Sequence, residues 1–427
     1  MNLEKTTATE LLPRLARREL TAEALVRACL ERIEAREPGV QAWAHLDRTA
    51  VIAAAKELDR GAIRGPLHGL PVGVKDVIDT FDLPTEYGSP IYAGQRPLAD
   101  AAVVALARLA GALVLGKTVT TEFATFPPGK TRNPHHPGHT PGGSSSGSAA
   151  AVAAAMVPVA FGTQTTGSII RPASFCGATG FKPSFGTLPR VGVKAISECL
   201  DTVGVFARSV ADAALFAGVL ARRAFTVPST VPAPRIGWCR TFEWSAAQPE
   251  TQKLFAREFA RAGSAGGLLR EIDLPAPFAG LAQAQGVIWE FEMARCLTDE
   301  HRRNAERIRE PLRSQLARGF DTSVAHYDAA MSLASDCRGM LSDLMREFDA
   351  LIVPSTPGEA PRGLEATGNP VFNRIWSLLH TPCVHVPTAT GPNGLPLGLQ
   401  VVGRIGDDAR ALACAHWLQS NLPVEPL

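Results

Sequence analysis

Residues 141–181 read PGGSSSGSAAAVAAAMVPVAFGTQTTGSIIRPASFCGATGF, two hydroxyl-rich turns joined by an apolar run. Glycines and serines form the first turn, at 142–146, and the second turn lies at 163–168. Because alanine is the strongest helix former and serine is a good N-cap, residues 149–155 predict a buried helix that starts at the first turn. Residues 157–161 predict a short core strand leading to the second turn. One helix and one strand between the turns predict that packing can bring the turns together.

The first turn is compatible with two other structures. The composition GGSSSGS at 142–148 is also typical of a flexible linker, although an uncharged apolar run does not usually follow a linker directly. A phosphate-binding nest is a further alternative, but no G-K-[ST] follows as in a P-loop. The turn also supplies unpaired backbone N–H groups, which suit a developing negative charge.

Composition restricts the classes of function. The chain has 427 residues and is 45% hydrophobic, which allows two or three domains or one large α/β domain. Its net charge of +2 gives no electrostatic case for binding nucleic acid or an acidic membrane. We expect no membrane span and no signal peptide, because the apolar runs are too short. Eight scattered cysteines without a CxxC pair predict buried thiols in a cytoplasmic protein.

Alternating apolar segments predict an α/β chain. Residues up to about 61 predict helices, and residues 70–74 predict a strand that ends at Lys75. A loop rich in proline and glycine at 126–140 holds His135, His136 and His139. A metal site and a His–Ser pair are both conceivable there, but the spacing fits no common zinc pattern. We expect these histidines to form local hydrogen bonds.

A serine nucleophile needs a base, and the sequence offers one unusual candidate. No G-x-S-x-G motif surrounds Ser168, and a Ser-His-Asp arrangement would need a well-placed histidine. Lys75 follows an apolar strand directly, and burial there would lower its pKa until the amine is neutral. Ser144 could then relay a proton from Ser168 to Lys75. The alternative is a strand-end lysine whose amine reaches water.

Three motifs resemble the amidase signature family, the Ser-cisSer-Lys hydrolases. They are VGVKD around Lys75, PGGSSSGSAAAVAA, and GTQTTGSIIRPASFCGATGFKPSFG. Ser144 and Ser168 are 24 positions apart (168 − 144), which matches the family's spacing. Weaker similarity extends over nearly the whole chain, through DTVG at Asp201 and PSTPGEAP at 354–361.

The resemblance implies a fold and an organisation. The expected fold is a three-layer α/β/α sandwich around a large mixed β-sheet, in a single domain spanning 1–427. Its catalytic core would cover about 62–225, a helical layer about 245–348, and C-terminal strands and a helix about 349–427. Neither a metal nor an organic cofactor is implied. The partner would be a small-molecule amide, with a homodimer left open.

The resemblance also implies residue roles. Ser168 would be the nucleophile, Ser144 the bridging serine after a cis peptide bond, and Lys75 the base. The substrate-binding and oxyanion-hole residues would come from the same two turns. Backbone N–H groups would form the oxyanion hole at Thr165, Thr166, Gly167 and Ser168, and substrate contacts would come from Gly143, Ser145 and Arg171. The expected reaction is amide hydrolysis through a seryl acyl-enzyme, with activity rising as Lys75 loses its proton.

The second turn departs from the family pattern. Gln164 replaces an aspartate, Thr166 replaces a glycine and could narrow the oxyanion hole, and the usual arginine position holds Ile170. Arg171 instead stands three residues after Ser168, which resembles the bacterial malonamidase-like branch. There an arginine engages a substrate carboxylate, as guanidinium groups do well. We therefore hypothesise a small acid amide or carbamoylated acid as substrate, and the alternative is that Arg171 only supports the fold.

Two other functions stay open. A glutaminase subunit of a tRNA-dependent amidotransferase carries the same triad and works with partner subunits. A non-catalytic relative could use the cleft for binding only. For the far wall of the cleft we expect contributions from around Trp289, Arg208, Ser355 and Asn373.

Overall fold

The computed structural model describes residues 5–225, 227–228 and 231–427, which contain one twelve-stranded sheet. The strands, in chain order, are β1 Trp43–Leu46, β2 Pro71–Lys75, β3 Leu113–Thr118, β4 Val159–Gln164, β5 Thr179–Lys182, β6 Thr202–Ala207, β7 Arg235–Cys239, β8 Leu268–Ile272, β9 Ala350–Pro354, β10 Cys383–Thr390, β11 Pro396–Val402 and β12 Glu425–Pro426. The α-helices are α1 Ala8–Ala16, α2 Ala22–Val40, α3 Arg48–Arg60, α4 Ala102–Leu109, α5 Ser146–Ala153, α6 Ile170–Cys176, α7 Val210–Ala221, α8 Pro249–Ser264, α9 Leu281–Cys296, α10 Thr298–Asn304, α11 Leu312–Asp321, α12 Val324–Leu344, α13 Arg374–Leu378 and α14 Asp408–Asn421.

The sheet is mixed, as predicted. Its strand order is β1-β3-β2-β4-β6-β5-β10-β11-β9-β7-β8, with β12 pairing with β10. The strands β3, β2 and β4 are parallel neighbours, whereas β4 and β6 run antiparallel. Strands of the central region are buried along their whole length, which is typical of a sheet covered by helices on both faces. The predicted α/β/α sandwich is confirmed.

The parallel strands bring the two hydroxyl-rich turns to one edge of the sheet. β2 ends at Lys75 and β4 ends at Gln164, so the lysine and the second turn emerge side by side. The first turn leads directly into α5, which packs on this region. Carboxyl ends of parallel strands are where α/β sheets usually place ligands.

Several predicted boundaries are wrong. Residues up to about 61 predict helices, but they include the strand β1. The segment expected to form the helical layer, about 245–348, also carries the edge strand β8, whose side chains are exposed or partly exposed. Helix α5 starts three residues before the predicted position 149 (149 − 146), and β4 starts two residues after the predicted position 157 (159 − 157). The later start of β4 follows Pro158, which has no backbone N–H to donate.

The eight cysteines all lie in the described ranges and form no disulfide bonds, and all but Cys199 and Cys296 are buried. Among the described residues, no helix combines the length and the apolarity that a membrane crossing requires.

Candidate active site

Lys75 is enclosed completely at the end of β2. None of its side chain is exposed, and its Nζ lies 2.9 Å from the Oγ of Ser144 and 2.7 Å from the Oγ1 of Thr163. Burial lowers the pKa of Lys75 well below its ordinary value, because the charged form is desolvated. The alternative in which the amine reaches water is therefore wrong.

One buried carboxylate acts on Lys75 from a distance. Asp201 favours the charged amine, but its effect on the pKa of Lys75 is smaller than that of burial. The Asp201 carboxylate is occupied by hydrogen bonds from the Thr165 hydroxyl at 2.5 Å and from the backbone N–H groups of Ile196 and Ser197 at 2.8 and 3.0 Å. Asp201 thus anchors the second turn and leaves the Lys75 amine to the hydroxyls.

The first turn is fixed against the second. The Gly143–Ser144 peptide bond is cis, and Ser144 is buried with its Oγ directed to Lys75. The neighbouring Ser145 hydroxyl donates to the Thr163 carbonyl at 3.2 Å and accepts from the Thr163 N–H at 3.3 Å. Gly142 has a φ of +81°, and a Cβ there would lie 2.8 Å from the Cα of Pro172. The two turns therefore pack together, as predicted.

Ser168 stands in the second turn, between β4 and α6. It is 7% exposed, and its hydroxyl has no hydrogen-bond partner within the part of the chain that the structure describes. Gln164 stabilises the turn, because its Oε1 accepts from the N–H groups of Ile169 and Ile170 at 2.8 and 3.0 Å. Gln164 thus has a structural role at the position where the family pattern has an aspartate.

The backbone N–H groups at 165–168 have no hydrogen-bond acceptor among the residues that the structure describes. The adjoining carbonyl of Thr166 accepts from the Ser377 hydroxyl at 2.8 Å, which fixes the turn to α13. A Cβ on Gly167 would lie 2.6 Å from the Oδ1 of Asn373, so only glycine fits there. These contacts fix the backbone of the turn that carries Ser168.

Ser168 opens onto a cavity of about 170 Å³, which we call the substrate cavity. It is lined by Thr166 and Ser168 from the turn, by Arg171 from α6 and by Phe126, Trp289 and Arg374 from other segments, among further residues. For comparison, a cavity of about 150 Å³ holds benzene, so this volume suits a small ligand. The Oγ1 of Thr166 accepts from the Nε2 of Gln285 at 3.0 Å. Thr166 replaces a glycine of the family pattern, and its side chain thus occupies space beside the turn, as predicted from the sequence.

Arg171 lines the cavity, but its guanidinium is largely occupied. NH1 donates to the Gly368 carbonyl and NH2 donates to the Gly143 carbonyl, each at 2.6 Å. Burial, and after it the nearby Arg374, lower the pKa of Arg171 to about 9. These contacts favour the alternative in which Arg171 holds backbone segments together. They also fix the backbone at Gly143, because the Gly143 carbonyl accepts from the NH2 of Arg171.

The remaining predicted site residues are distributed unevenly. Trp289 lines the substrate cavity, whereas Ser355 and Asn373 are not among its lining residues. Ser355 is hydrogen-bonded to His385, and Asn373 is hydrogen-bonded to Gln400. Neither Arg208 nor the buried Ser145 is among the residues that line it, and neither is Gly143.

Each of the three loop histidines bonds to backbone. His135 Nε2 pairs with the Cys176 carbonyl at 2.8 Å, His139 Nδ1 with the Ala360 carbonyl at 2.7 Å, and His136 Nδ1 accepts from the Gly138 N–H at 3.2 Å. The prediction of local hydrogen bonds is confirmed for His136 and is wrong for His135 and His139, whose partners lie 41 and 221 positions away in the chain.

Thr163, Asp201, Gln285 and Arg374 belong to the site, and reasoning from the sequence assigned none of them a role there. Thr163 lies on β4 and begins the turn that holds Ser168. Its side chain is on the same face of the strand as that of Phe161, two positions earlier, so strand periodicity could have indicated its contact with Lys75. Gln285 and Arg374 come from α9 and α13, and no local pattern marks them.

Known proteins resemble the chain along nearly its whole length. A family model described as Amidase matches residues 24–412. A glutamyl-tRNA(Gln) amidotransferase subunit of Chloroflexus aggregans is 33% identical, with 93% of this chain and 92% of that protein covered.

Two solved structures share the fold. A crystal structure of an amidase is 31% identical, covers 98% of this chain and 100% of its own, and superimposes with a TM-score of 0.89. The peptide amidase of Stenotrophomonas maltophilia is 28% identical, with coverage of 98% and 97% and a TM-score of 0.82.

Proposed function

This chain belongs to the amidase family, hydrolases of amide C–N bonds, and from that premise we propose that Ser168 attacks the carbonyl of a small amide to form an acyl-enzyme. The observation that carries the proposal is the fully buried Lys75 amine, 2.9 Å from the Ser144 hydroxyl. An amine with a lowered pKa can be neutral at ordinary pH and can accept a proton.

The proton path runs through Ser144. As the Ser168 oxygen bonds to the carbonyl carbon, its proton passes to Ser144 and the Ser144 proton passes to Lys75. Lys75 then returns a proton, through Ser144, to the leaving nitrogen, and the C–N bond breaks to release ammonia or an amine. Water repeats the sequence on the acyl-enzyme, so the acid leaves and Ser168 is restored.

The unpaired N–H groups at 165–168 support an oxyanion hole. The carbonyl oxygen gains negative charge when Ser168 attacks, and preorganised donors stabilise that charge most in a site that excludes water. Asp201 accepts from the Thr165 hydroxyl and Ser377 donates to the Thr166 carbonyl, so both hold the turn in place without using its N–H groups.

A small substrate with a negative group suits the cavity. The volume of about 170 Å³ favours a short acyl chain. Two guanidinium groups, of Arg171 and Arg374, line it, which supports a carboxylate-bearing or carbamoylated amide. The spacing of Arg171 from Ser168 supports a place near the malonamidase-like branch, whereas its bonds to the Gly368 and Gly143 carbonyls leave Arg374 as the guanidinium available to a carboxylate.

The test is ammonia release by the purified chain from a panel of small amides, with and without a free carboxylate. Ser168→Ala should lose roughly a thousandfold or more in kcat, because the nucleophile is gone. Ser174→Ala is the matched control, since Ser174 is buried in α6 and hydrogen-bonded to Thr356 outside the cavity. Equal activity of Ser168→Ala and Ser174→Ala would refute the assignment of the nucleophile.

A second candidate is the glutaminase subunit of a tRNA-dependent amidotransferase. The observation that favours it is the whole-length match to the amidotransferase subunit of Chloroflexus aggregans. That function predicts ammonia release from glutamine that depends on added partner subunits. A chain that hydrolyses small amides alone, as a monomer or a homodimer, would favour the first candidate. A chain that binds amides without hydrolysing any would indicate the non-catalytic relative.

A further inference from the structure

Arg374 is attached to the nucleophile turn through a short, rigid connection. It is the first residue of α13, whose Ser377 donates to the Thr166 carbonyl. The preceding Asn373 packs on Gly167, and its Nδ2 donates to the Ser355 carbonyl at 3.0 Å and to the Gln400 Oε1 at 2.8 Å. The backbone that carries Arg374 is therefore fixed relative to Ser168.

The Arg374 guanidinium forms no hydrogen bond and no ion pair with any residue that the structure describes. The side chain is half-buried and lines the substrate cavity, and its Nε is buried. Arg171 on the same cavity is largely satisfied by two backbone carbonyls. A buried N–H donor without an acceptor is costly, so an occupant of the cavity that accepts hydrogen bonds from this guanidinium would be bound favourably.

The rest of the cavity wall is also rich in unused donors. The Nε of Arg171 and the Nε1 of Trp289 are buried without hydrogen-bond partners among the described residues. One buried acceptor without a partner in the same described ranges, the Oε1 of Gln315, lines the same cavity. Among the buried atoms of the lining residues that have no hydrogen-bond partner in the described ranges, N–H groups outnumber acceptors, which fits a ligand whose own polar atoms are mainly acceptors, as in a carboxylate.

The charges around Arg374 leave the cavity cationic. Glu290 also lines the cavity, but its Oε1 is bound by Arg318 at 2.7 Å. Glu243 interacts with Arg374 without forming an ion pair to it, and burial raises the pKa of Glu243. Arg374 and Arg171 repel each other, which contributes to the lowered pKa of Arg171. An anion between them would relieve this repulsion.

We propose that Arg374 is the specificity-determining residue of the substrate cavity and binds a carboxylate of the substrate, which makes the substrate class the monoamides of short dicarboxylic acids. This inference rests on the proposed hydrolysis at Ser168. The amide carbonyl would lie at the turn 165–168 and the carboxylate on Arg374, which lines the same cavity. A donor already directed at the cavity binds without a rearrangement of the wall.

The test compares an acid amide with its neutral counterpart, for example succinamate and succinamide. In the wild type we expect a higher kcat/KM for the acid amide. Arg374→Gln should lower the ratio of the two kcat/KM values roughly 10- to 100-fold, because a charge-assisted hydrogen bond to the carboxylate is lost. The loss should appear mainly in KM, and Arg374→Lys should recover part of the ratio. Arg338→Gln, the matched control, changes a half-buried arginine on α12 that donates to the Leu378 carbonyl outside the cavity, and it should leave the ratio unchanged.

The outcomes separate this inference from the proposed function. Hydrolysis of neither amide by the wild type would contradict the proposed function, whereas hydrolysis of both with an unchanged ratio in Arg374→Gln would overturn the role of Arg374 alone. If Arg374→Gln failed to fold, inhibition of the wild type by free succinate would decide. Competitive inhibition that weakens in Arg374→Lys supports the role, and inhibition that is absent or equal in both refutes it.

Discussion

At the scale of single residues, the site depends on a lysine that is enclosed by protein and contacts only hydroxyls at its amine. Lys75 and Lys117 are both fully buried, but Lys117 forms an ion pair with Asp76 at 3.1 Å, whereas the Lys75 amine meets Ser144 and Thr163. The ion pair stabilises the charged form of Lys117, whereas the two hydroxyls stabilise the charged form of Lys75 much less. This contrast explains why neighbouring lysines on adjacent strands can serve structure and chemistry respectively.

The first prediction concerns Lys75 and stability. In the unfolded chain a lysine has a pKa of about 10.4 and binds a proton at pH 7, whereas the folded state has a lowered pKa for Lys75. Because the unfolded state then binds more protons, this group makes wild-type stability rise with pH up to about 10.4. Lys75→Met should therefore be more stable than the wild type at pH 7, by a margin that shrinks toward pH 10. Thermal midpoints of both proteins across this range measure the margin.

Lys253→Met is the control, because Lys253 is exposed on α8. It should show no such pH-dependent gain. A Lys75→Met margin that is absent, or constant with pH, would mean that Lys75 stays protonated in the folded protein.

At the scale of elements, the unit of α5 and β4 was largely predictable, and its packing was not. The alanine-rich run predicts a helix, but the direct contact of α5 with backbone is invisible in the sequence. A Cβ on Gly147 would lie 2.3 Å from the Ala42 carbonyl oxygen and 2.4 Å from the Val119 nitrogen. The glycine therefore permits α5 to approach β3 closely enough for the first turn to reach Lys75.

The second prediction follows from this close approach. Helix propensity alone predicts that Gly147→Ala is stabilising by about 1 kcal/mol. Packing predicts the opposite, a loss of about 1–3 kcal/mol, because backbone atoms must move. Gly339→Ala on α12 is the matched control, since nothing lies within 4 Å of its added Cβ, and it should be stabilising. Thermal midpoints that shift in the same direction for both variants would contradict the packing argument.

At the scale of the whole molecule, the sequence motifs locate the catalytic turns, whereas the cavity wall depends on distant segments. The motifs at 72–76 and 141–181 are local, and parallel pairing of β2 with β4 brings them together. The sheet order, in contrast, pairs β5 with β10 across about half the chain, and no local pattern encodes that pairing. Trp289 and Arg374 reach the cavity through this long-range order. Substrate specificity was therefore the least predictable property. The motif around Ser168 indicated Arg171 as the substrate-binding arginine, and no local pattern indicated Arg374.

The central claim is that neutral Lys75 activates Ser168 through Ser144, and the rate of fluorophosphonate labelling tests it most directly. We predict an adduct on Ser168, identified by mass spectrometry, that forms faster as pH rises through a single ionisation. Lys75→Met should slow labelling about a hundredfold or more and abolish this pH dependence, because the general base is lost. An adduct on a different serine, or an unchanged rate and pH profile in Lys75→Met, would contradict the claim.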